Sequence, residues 1–268
     1  MSKIINQLLR RINRLPIWRV PVNLGSASFV PPTGDRLLAL LLYSSRELRT
    51  EKIIHYLVGP GMNIVDVGAN QGLYTILFSR LAGSGTVHAF EPDPLLFQTL
   101  RSNMARNGVR NVRFYPYALA GDNQNRYLHR GTFNSGDNRL SKSWPGSDEK
   151  ILVEVRTLDK LLGNLKLDLL KIDTQGTELD VLKGAAKVLR SNTNLIVFCE
   201  FWPYGLKMNG TEPSAVLDLL RQHGFRIVHQ VGNSWQEFRG SQIAMIKGRR
   251  YINLVAGRFL AESRLTLP

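Results

Sequence analysis

Short unbroken apolar runs alternate along this chain with longer stretches in which apolar residues return every three or four positions. MNIVDVG, GTVHAFEP, VRFYPYAL, LDLLKID and NLIVFCEF have strand length, β-branched and aromatic content, and flanking turn residues. Between them LYTILFSRLA, DPLLFQTLRSNMARNG, TELDVLKGAAKVLRS and PSAVLDLLRQHG carry the helical period, and RTLDKLL predicts a further short helix. Strands that are apolar on both faces and alternate with amphipathic helices predict a mostly parallel sheet covered on both sides. Residues 35–58 keep helical periodicity up to the stop at Gly59-Pro60-Gly61, while PVNLGSASFVPPTGD reads as loop or linker. FRIVHQV and QIAMIKG predict a closing strand pair, and the polar stretch 121–150 is long enough to suggest a functional loop. The expected fold is α/β: a doubly wound, Rossmann-like, mostly parallel seven-stranded sheet with an N-terminal helical extension. The expected boundaries are an amphipathic helix and extension over 1–48, the α/β domain over 49–250, and a basic tail over 251–268.

In such a sheet, ligands settle outside the carboxyl ends of the strands where the strand order reverses. The first predicted strand ends in Asp66-Val67-Gly68-Ala69-Asn70-Gln71-Gly72 and runs directly into a helix. Gly68 and Gly72 permit a tight turn and close approach of a ligand, and the helix start offers free N–H groups. The second strand ends in Phe90-Glu91-Pro92, where a carboxylate can accept both hydroxyls of an adenosine ribose. Turn and acid together read as an adenosine-nucleoside site. The G-x-G-x-x-G spacing of a pyrophosphate site is missing, and Asp66 would repel a pyrophosphate. A cofactor carrying an amino acid and a sulfonium tolerates that carboxylate. The competing reading is structural, with glycines that only shape a turn and a Glu91 that marks a helix entry.

The fourth strand ends in Lys171-Ile172-Asp173-Thr174-Gln175-Gly176-Thr177-Glu178. An acid at a strand's carboxyl end points into the crevice, which makes Asp173 a catalytic candidate, whereas Glu178 at a helix start reads as a cap. The next strand ends in Glu200-Phe201-Trp202-Pro203-Tyr204. Glu200 is the second catalytic candidate, as general base for a hydroxyl or, with Asp173, as ligand to a divalent ion. Trp202 and Tyr204 form an apolar wall for a ring-shaped substrate or fill core. Of the five histidines only His129, within the polar stretch, has the access a general base needs.

Charge and composition narrow the partners. Among 268 residues Lys plus Arg number 35 and Asp plus Glu 21, a net charge of +14 that favours anionic partners. The basic residues are spread, with concentrations at the two ends, and no basic run carries interleaved aromatics, so a nucleic-acid partner is disfavoured. The single cysteine, Cys199, lies in an apolar run and reads as a small buried hydrophobe in a reducing compartment. No stretch reaches the ~18 apolar residues of a membrane span, and the start lacks a signal-peptide pattern, so a cytoplasmic protein is expected. Ile4, Ile5, Leu8, Leu9, Ile12 and Leu15 share one helical face opposite basic positions. That face suits the chain's own domain, a second copy in a homodimer, or peripheral contact with the inner face of a membrane.

Together these residues resemble the FkbM family of methyltransferases. The resemblance runs from about Asn63 to Arg226 and rests on DVGANQGLYT, FEPDP, YALAGD, FNSGDNRL, VRTLDKLL and, most specifically, LLKIDTQGTELDVLKG. It implies a class I, S-adenosylmethionine-dependent O-methyltransferase acting on sugar hydroxyls or natural-product scaffolds. It implies cofactor contacts along the turn Asp66, Gly68, Ala69, Asn70 and Gly72 and at Glu91, with Ala118 flanking the adenine. Asn134, Ser135 and Asp137 of the polar stretch would join Asp173 near the acceptor. Gln175 stands where the commonest family pattern has Glu; this removes a carboxylate and weakens a metal-dependent mechanism, and no metal ligand is assigned. The expected acceptor is a small molecule or glycan, lipid-linked or natural-product. The alternatives are a nucleic-acid methyltransferase, which lacks here the Asn/Asp-Pro-Pro-aromatic turn of base-modifying enzymes, and a non-catalytic membrane-surface or partner-binding protein of the same fold.

Overall fold

The computed structural model describes residues 22–24, 27–29, 45–131, 135–141, 149–232 and 234–259. A hairpin of β1 (Val22–Leu24) and β2 (Ala27–Phe29) lies in the stretch read as loop, because three-residue strands are too short to leave a periodic signal. Helix α1 (Ser45–Leu57) leads into β3 (Ile64–Val67), α2 (Leu73–Ala82), β4 (Val87–Phe90), α3 (Pro94–Arg106) and β5 (Val112–Tyr115). The middle of the chain carries β6 (Ala118–Leu119), β7 (Arg126–His129), β8 (Arg139–Leu140), β9 (Lys150–Val153) and β10 (Val155–Arg156). Then come α4 (Leu158–Leu162), β11 (Leu169–Ile172), α5 (Glu178–Lys183), α6 (Ala186–Ser191), β12 (Ile196–Phe201), α7 (Pro203–Met208) and α8 (Ser214–Gln222). The described chain closes with β13 (Arg226–Val231), β14 (Ser234–Glu237) and β15 (Ile252–Gly257).

The central sheet runs β14-β13-β15-β12-β11-β3-β4-β5. The five strands from β12 to β5 are parallel, whereas β15 is antiparallel to both its neighbours and β14 is antiparallel to β13. The chain winds outward from β3 in one direction through β4 and β5, then returns to β11 on its other side, so the order reverses between β3 and β11. The doubly wound α/β expectation holds. The sheet has eight strands rather than seven, because β14 folds back on β13 as an added edge.

Side-chain alternation sends residues of one strand into two different cores. Val65, Val67, Leu170, Ile172, Val197 and Cys199 pack with Val181, Leu182, Val188 and Leu217 from the helices on one face. Ile64, Leu169, Ile196 and Phe198 pack on the other face with Ile53, Ile54 and Leu57 of α1 and Phe78 of α2. Cys199 is buried, as expected, and burial pushes its thiol pKa well above the usual value.

Three sequence expectations give way. Residues 252–257, read as part of a basic tail, form β15 in the middle of the sheet, where Val255 and Ala256 are buried between β12 and β13. QIAMIKG is not a strand, since Gly240–Met245 is a 3-10 helix. The stretch 121–150 is not mere loop: β8, β7 and β9 make a small antiparallel sheet, anchored where β10 pairs in parallel with β6. That sheet takes in His129, which is 8% exposed and paired across to Arg139 and Lys150, so the access expected of it is absent. The N-terminal amphipathic helix expected over 1–20 lies outside the described residues. Among the described residues no helix is long and apolar enough to cross a membrane.

Candidate active site

Register decides which strand ends meet. Val67 pairs with Phe90 on one side and Ile172 on the other, and Ile172 pairs with Cys199. The next residues along each strand, Gly68, Glu91, Asp173 and Glu200, therefore emerge at one level on the carboxyl rim of the sheet. Four residues spread over more than 130 positions are brought together by pairing alone.

The turn after β3 is held from below. Gly68 and Ala69 both donate their N–H to the Phe90 carbonyl, at 3.1 and 3.0 Å, and Gly72 donates to Ala69 at 2.9 Å. These three N–H groups are engaged within the fold, and the helix proper begins beyond them at Leu73. Gly68 has φ +74°, and a Cβ there would stand 2.0 Å from the Asp173 carbonyl oxygen. Its missing side chain thus leaves room for the neighbouring strand end. Gly72, at φ +93°, faces Met104 and Leu100 of α3 in the same way. Asn70 takes a left-handed φ of 52° without being glycine.

Asp66 is fully buried. Its Oδ2 accepts from the Thr75 hydroxyl at 2.6 Å, and its Oδ1 lies 2.9 Å from Lys171 Nζ. Lys171 also donates to the Gly68 carbonyl at 3.0 Å and stands 3.8 Å from Asp173 Oδ2. Burial disfavours its charge, but Asp66, Asp173 and Glu200 together outweigh that and hold its pKa above the ordinary lysine value. Asp66 therefore reaches the turn through Lys171 and Thr75. The sequence signal that points to Lys171 is a lysine inside an otherwise apolar strand.

Glu91 is 4% exposed and accepts one backbone N–H on each oxygen, from Asn70 at 2.8 Å and Asp93 at 2.9 Å. Burial raises its pKa to about 7 despite these two bonds. Each oxygen keeps a second lone pair, and donors supplied there favour the ionised carboxylate. That is the donor need that a ribose diol meets, so the residues fit an adenosine cofactor. Asp93, two residues on, caps α3 by accepting from Leu95 N–H and takes a two-bonded guanidinium from Arg130 at 2.7 and 2.8 Å. Asn138 adds a donor to the same carboxylate at 3.1 Å. The small sheet is thereby tied to the Glu91 turn. Ser135 sits beside the first turn as well, donating to Asn70 Oδ1 at 3.1 Å and accepting from Gln71 at 3.3 Å. Ala118, buried in β6, donates its N–H to the Glu154 carbonyl.

Across the switch point the two catalytic candidates share one partner. Gln175 Nε2 donates to Asp173 Oδ1 at 2.8 Å and to Glu200 Oε2 at 2.7 Å. Asp173 keeps 30% of its side chain exposed, whereas Glu200 is buried. Burial, then Asp173 and Glu178, push the Glu200 pKa well above its usual value. Glu178 is fully buried and caps the turn before its helix, accepting from Gly176 N–H at 2.8 Å. Burial brings its pKa to about 7.

Arg139 closes the other side. It is 2% exposed, its guanidinium lies 4.8 Å from the Trp202 ring centroid, and its Nε donates to the Asp137 carbonyl at 2.9 Å. Trp202 is 6% exposed and donates to the Arg249 carbonyl at 3.2 Å, while the Arg249 guanidinium lies over Tyr204. Trp202 is therefore packed between Arg139 and Gly205 rather than laid open as a wall. Asn134 lies outside the described residues. Among those described, no three His, Cys, Asp or Glu side chains converge as a metal site.

Known proteins of similar sequence are methyltransferases. The curated 31-O-demethyl-FK506 methyltransferase FkbM of Streptomyces tacrolimicus is 29% identical over 224 residues, covering 71% of this chain and 82% of its own. The 2-O-methyltransferase NoeI of Sinorhizobium fredii is 30% identical over 187 residues, covering 63% of this chain and 75% of its own. A solved S-adenosylmethionine-dependent O-methyltransferase from Thermotoga maritima overlays with a TM-score of 0.46 at 12% identity, over 91% of this chain and 79% of that one. The family model described as the methyltransferase FkbM domain matches residues 66–227, more than half of the chain. With this match over more than half of its length, the chain belongs to the FkbM family of S-adenosylmethionine-dependent methyltransferases.

Proposed function

We propose that the chain methylates a hydroxyl oxygen of a small-molecule or glycan acceptor, with Asp173 and Glu200 as its acid–base pair. The observation that carries this reading is the pair itself: two carboxyl groups on adjacent strand ends, bridged by one amide nitrogen at 2.8 and 2.7 Å. Two carboxylates this close do not both ionise. Burial keeps the proton on Glu200. Asp173, the more exposed of the two, is the oxygen base that takes the acceptor's hydroxyl proton.

S-adenosylmethionine supplies a methyl group already activated on a sulfonium, so positioning provides most of the rate. Glu91 accepts the ribose hydroxyls, the turn from Gly68 through Ala69 and Asn70 to Gly72 shapes the floor, and Ala118 flanks the adenine. Asp66 supports that floor indirectly by holding Lys171 against Gly68. Ser135 and Asp137, with Trp202 behind them, border the acceptor side. Both relatives named above carry O-methylation in their names, one at a 31-O and one at a 2-O position, which supports oxygen as the accepting atom.

The test is methyl transfer from labelled S-adenosylmethionine to a panel of p-nitrophenyl glycosides, with calorimetric cofactor binding alongside. Asp173→Asn is expected to leave the cofactor Kd within about twofold and to lower turnover by ~10²-fold or more, the range for loss of a general base. An Asp173→Asn protein that loses cofactor affinity and turnover together removes the base assignment.

A further inference from the structure

Gln175 takes a backbone conformation that favours glycine. Its φ of 56° is left-handed, and Asn70 is the one other non-glycine residue with positive φ among those described. A glutamine held there is strained, and the surroundings must offset that strain. The two residues occupy matching places, one after β3 and one after β11, on either side of the switch point. At Asn70 the backbone N–H is delivered to Glu91. At Gln175 the same twist brings the side chain back over the strand end it has just left, into the gap between Asp173 and Glu200.

Each hydrogen of the carboxamide is spent on one acid. The neighbouring charged groups have other attachments. Lys171 is 2.9 Å from Asp66 and only 3.8 Å from Asp173. Glu178 faces the N–H groups of its own turn. Arg139 is held at Asp137 and Trp202. Gln175 is the group that hydrogen-bonds to both acids.

We propose that Gln175 is a positioning residue for methyl transfer, bridging Asp173 and Glu200 through the two N–H bonds of its carboxamide so that they act as one pair. This rests on the reading of Asp173 as the base. A donor to each acid fixes their separation and stabilises the negative charge that Asp173 carries before it takes a proton. Glutamate at this position would bring a third acid without donors. Asparagine would fit the left-handed backbone better but is one methylene too short to reach both oxygens.

The experiment combines two readouts on Gln175→Asn, Gln175→Leu and Gln175→Glu. The first is carbon-13 NMR titration of the Asp and Glu carboxyl carbons with S-adenosylhomocysteine bound. The second is the pH dependence of kcat with whichever p-nitrophenyl glycoside accepts methyl in the assay above. The lower titration of the Asp173–Glu200 pair is expected to move up by about one unit in Gln175→Leu, with the acid limb of kcat following it. In Gln175→Asn, kcat is expected to fall ~10-fold or more while the cofactor Kd stays within about twofold and thermal stability is kept or raised. A merely structural role predicts the opposite for asparagine: full activity and an unmoved limb. Unchanged titrations and an unchanged limb in both Asn and Leu variants overturn the proposal. If the titrations move but Asp173→Asn still turns over, the bridge stands and its part in methyl transfer falls with the base assignment. If no glycoside accepts methyl, titrations that move support the bridge, and titrations that stay fixed overturn it.

Discussion

At Gly68 an added methyl group would meet the backbone carbonyl of Asp173 at 2.0 Å, and at Gly72 it would meet the mobile end of Met104 at 2.4 Å. Both glycines have positive φ, but only the first is blocked by atoms that cannot swing aside. Gly68→Ala should therefore cost about 3 kcal/mol or more by forcing β3 and β11 apart, whereas Gly72→Ala should cost about 1–2 kcal/mol. Urea unfolding of the two variants checks the ordering, and equal losses would contradict it. Glu178 allows a second prediction. Burial raises its pKa to about 7, so the fold prefers the neutral acid. Stability from this group is present in full below its unfolded value near 4.5 and is lost as pH rises through 7. Glu178→Gln removes the titration while keeping the acceptor for Gly176. Relative to the parent it should gain up to ~3 kcal/mol at pH 8.5 and nothing near pH 4.5, read by denaturant unfolding at the two pH values. A difference independent of pH would mean that Glu178 does not titrate in this range.

Between elements, the most consequential contact is the one that ties the small sheet β8-β7-β9 to the second strand end. Arg130 lies on the turn side of β7 and grips Asp93, which is 1% exposed. Asp93 in turn donates its N–H to Glu91. Arg130→Ala leaves Asp93 with Leu95 and Asn138 as partners and should cost about 1–3 kcal/mol. Amide exchange should rise across 126–153 while β3 and β4 remain protected, and cofactor affinity should fall several-fold because the Glu91 turn loosens. Unaltered exchange in 126–153 would show that β6–β10 pairing alone holds the insertion. None of this was readable in advance. FEPDP marks Asp93 and the polar stretch contains Arg130, but 37 residues separate them, and neither carries a sign of the other.

For the molecule as a whole, β15 decides whether the sheet is continuous. It joins β12 to β13, and without it β13 and β14 have no hydrogen-bonded link to the parallel strands. A chain ending at Arg250 is therefore expected to lose cooperative thermal unfolding, measured by circular dichroism, where a dispensable tail would leave the transition intact. The sequence by itself determined the alternation of strand and helix, hence the doubly wound sheet, and where its strands end. It could do so because burial on both faces leaves unbroken apolar runs, and because each strand-end motif is contiguous. Asp66 through Gly72, Glu91, Asp173 and Glu200 all stand at or just beyond such strand ends. Tertiary structure decided what those residues do to one another. It sealed Asp66 behind Lys171, packed Gly68 against the Asp173 carbonyl, buried His129 in a sheet, and set Gln175 between two acids. The physical reason is the same in each case. A hydrogen bond or a close contact depends on atoms within about 3 Å, and strand register, not sequence distance, brings those atoms together.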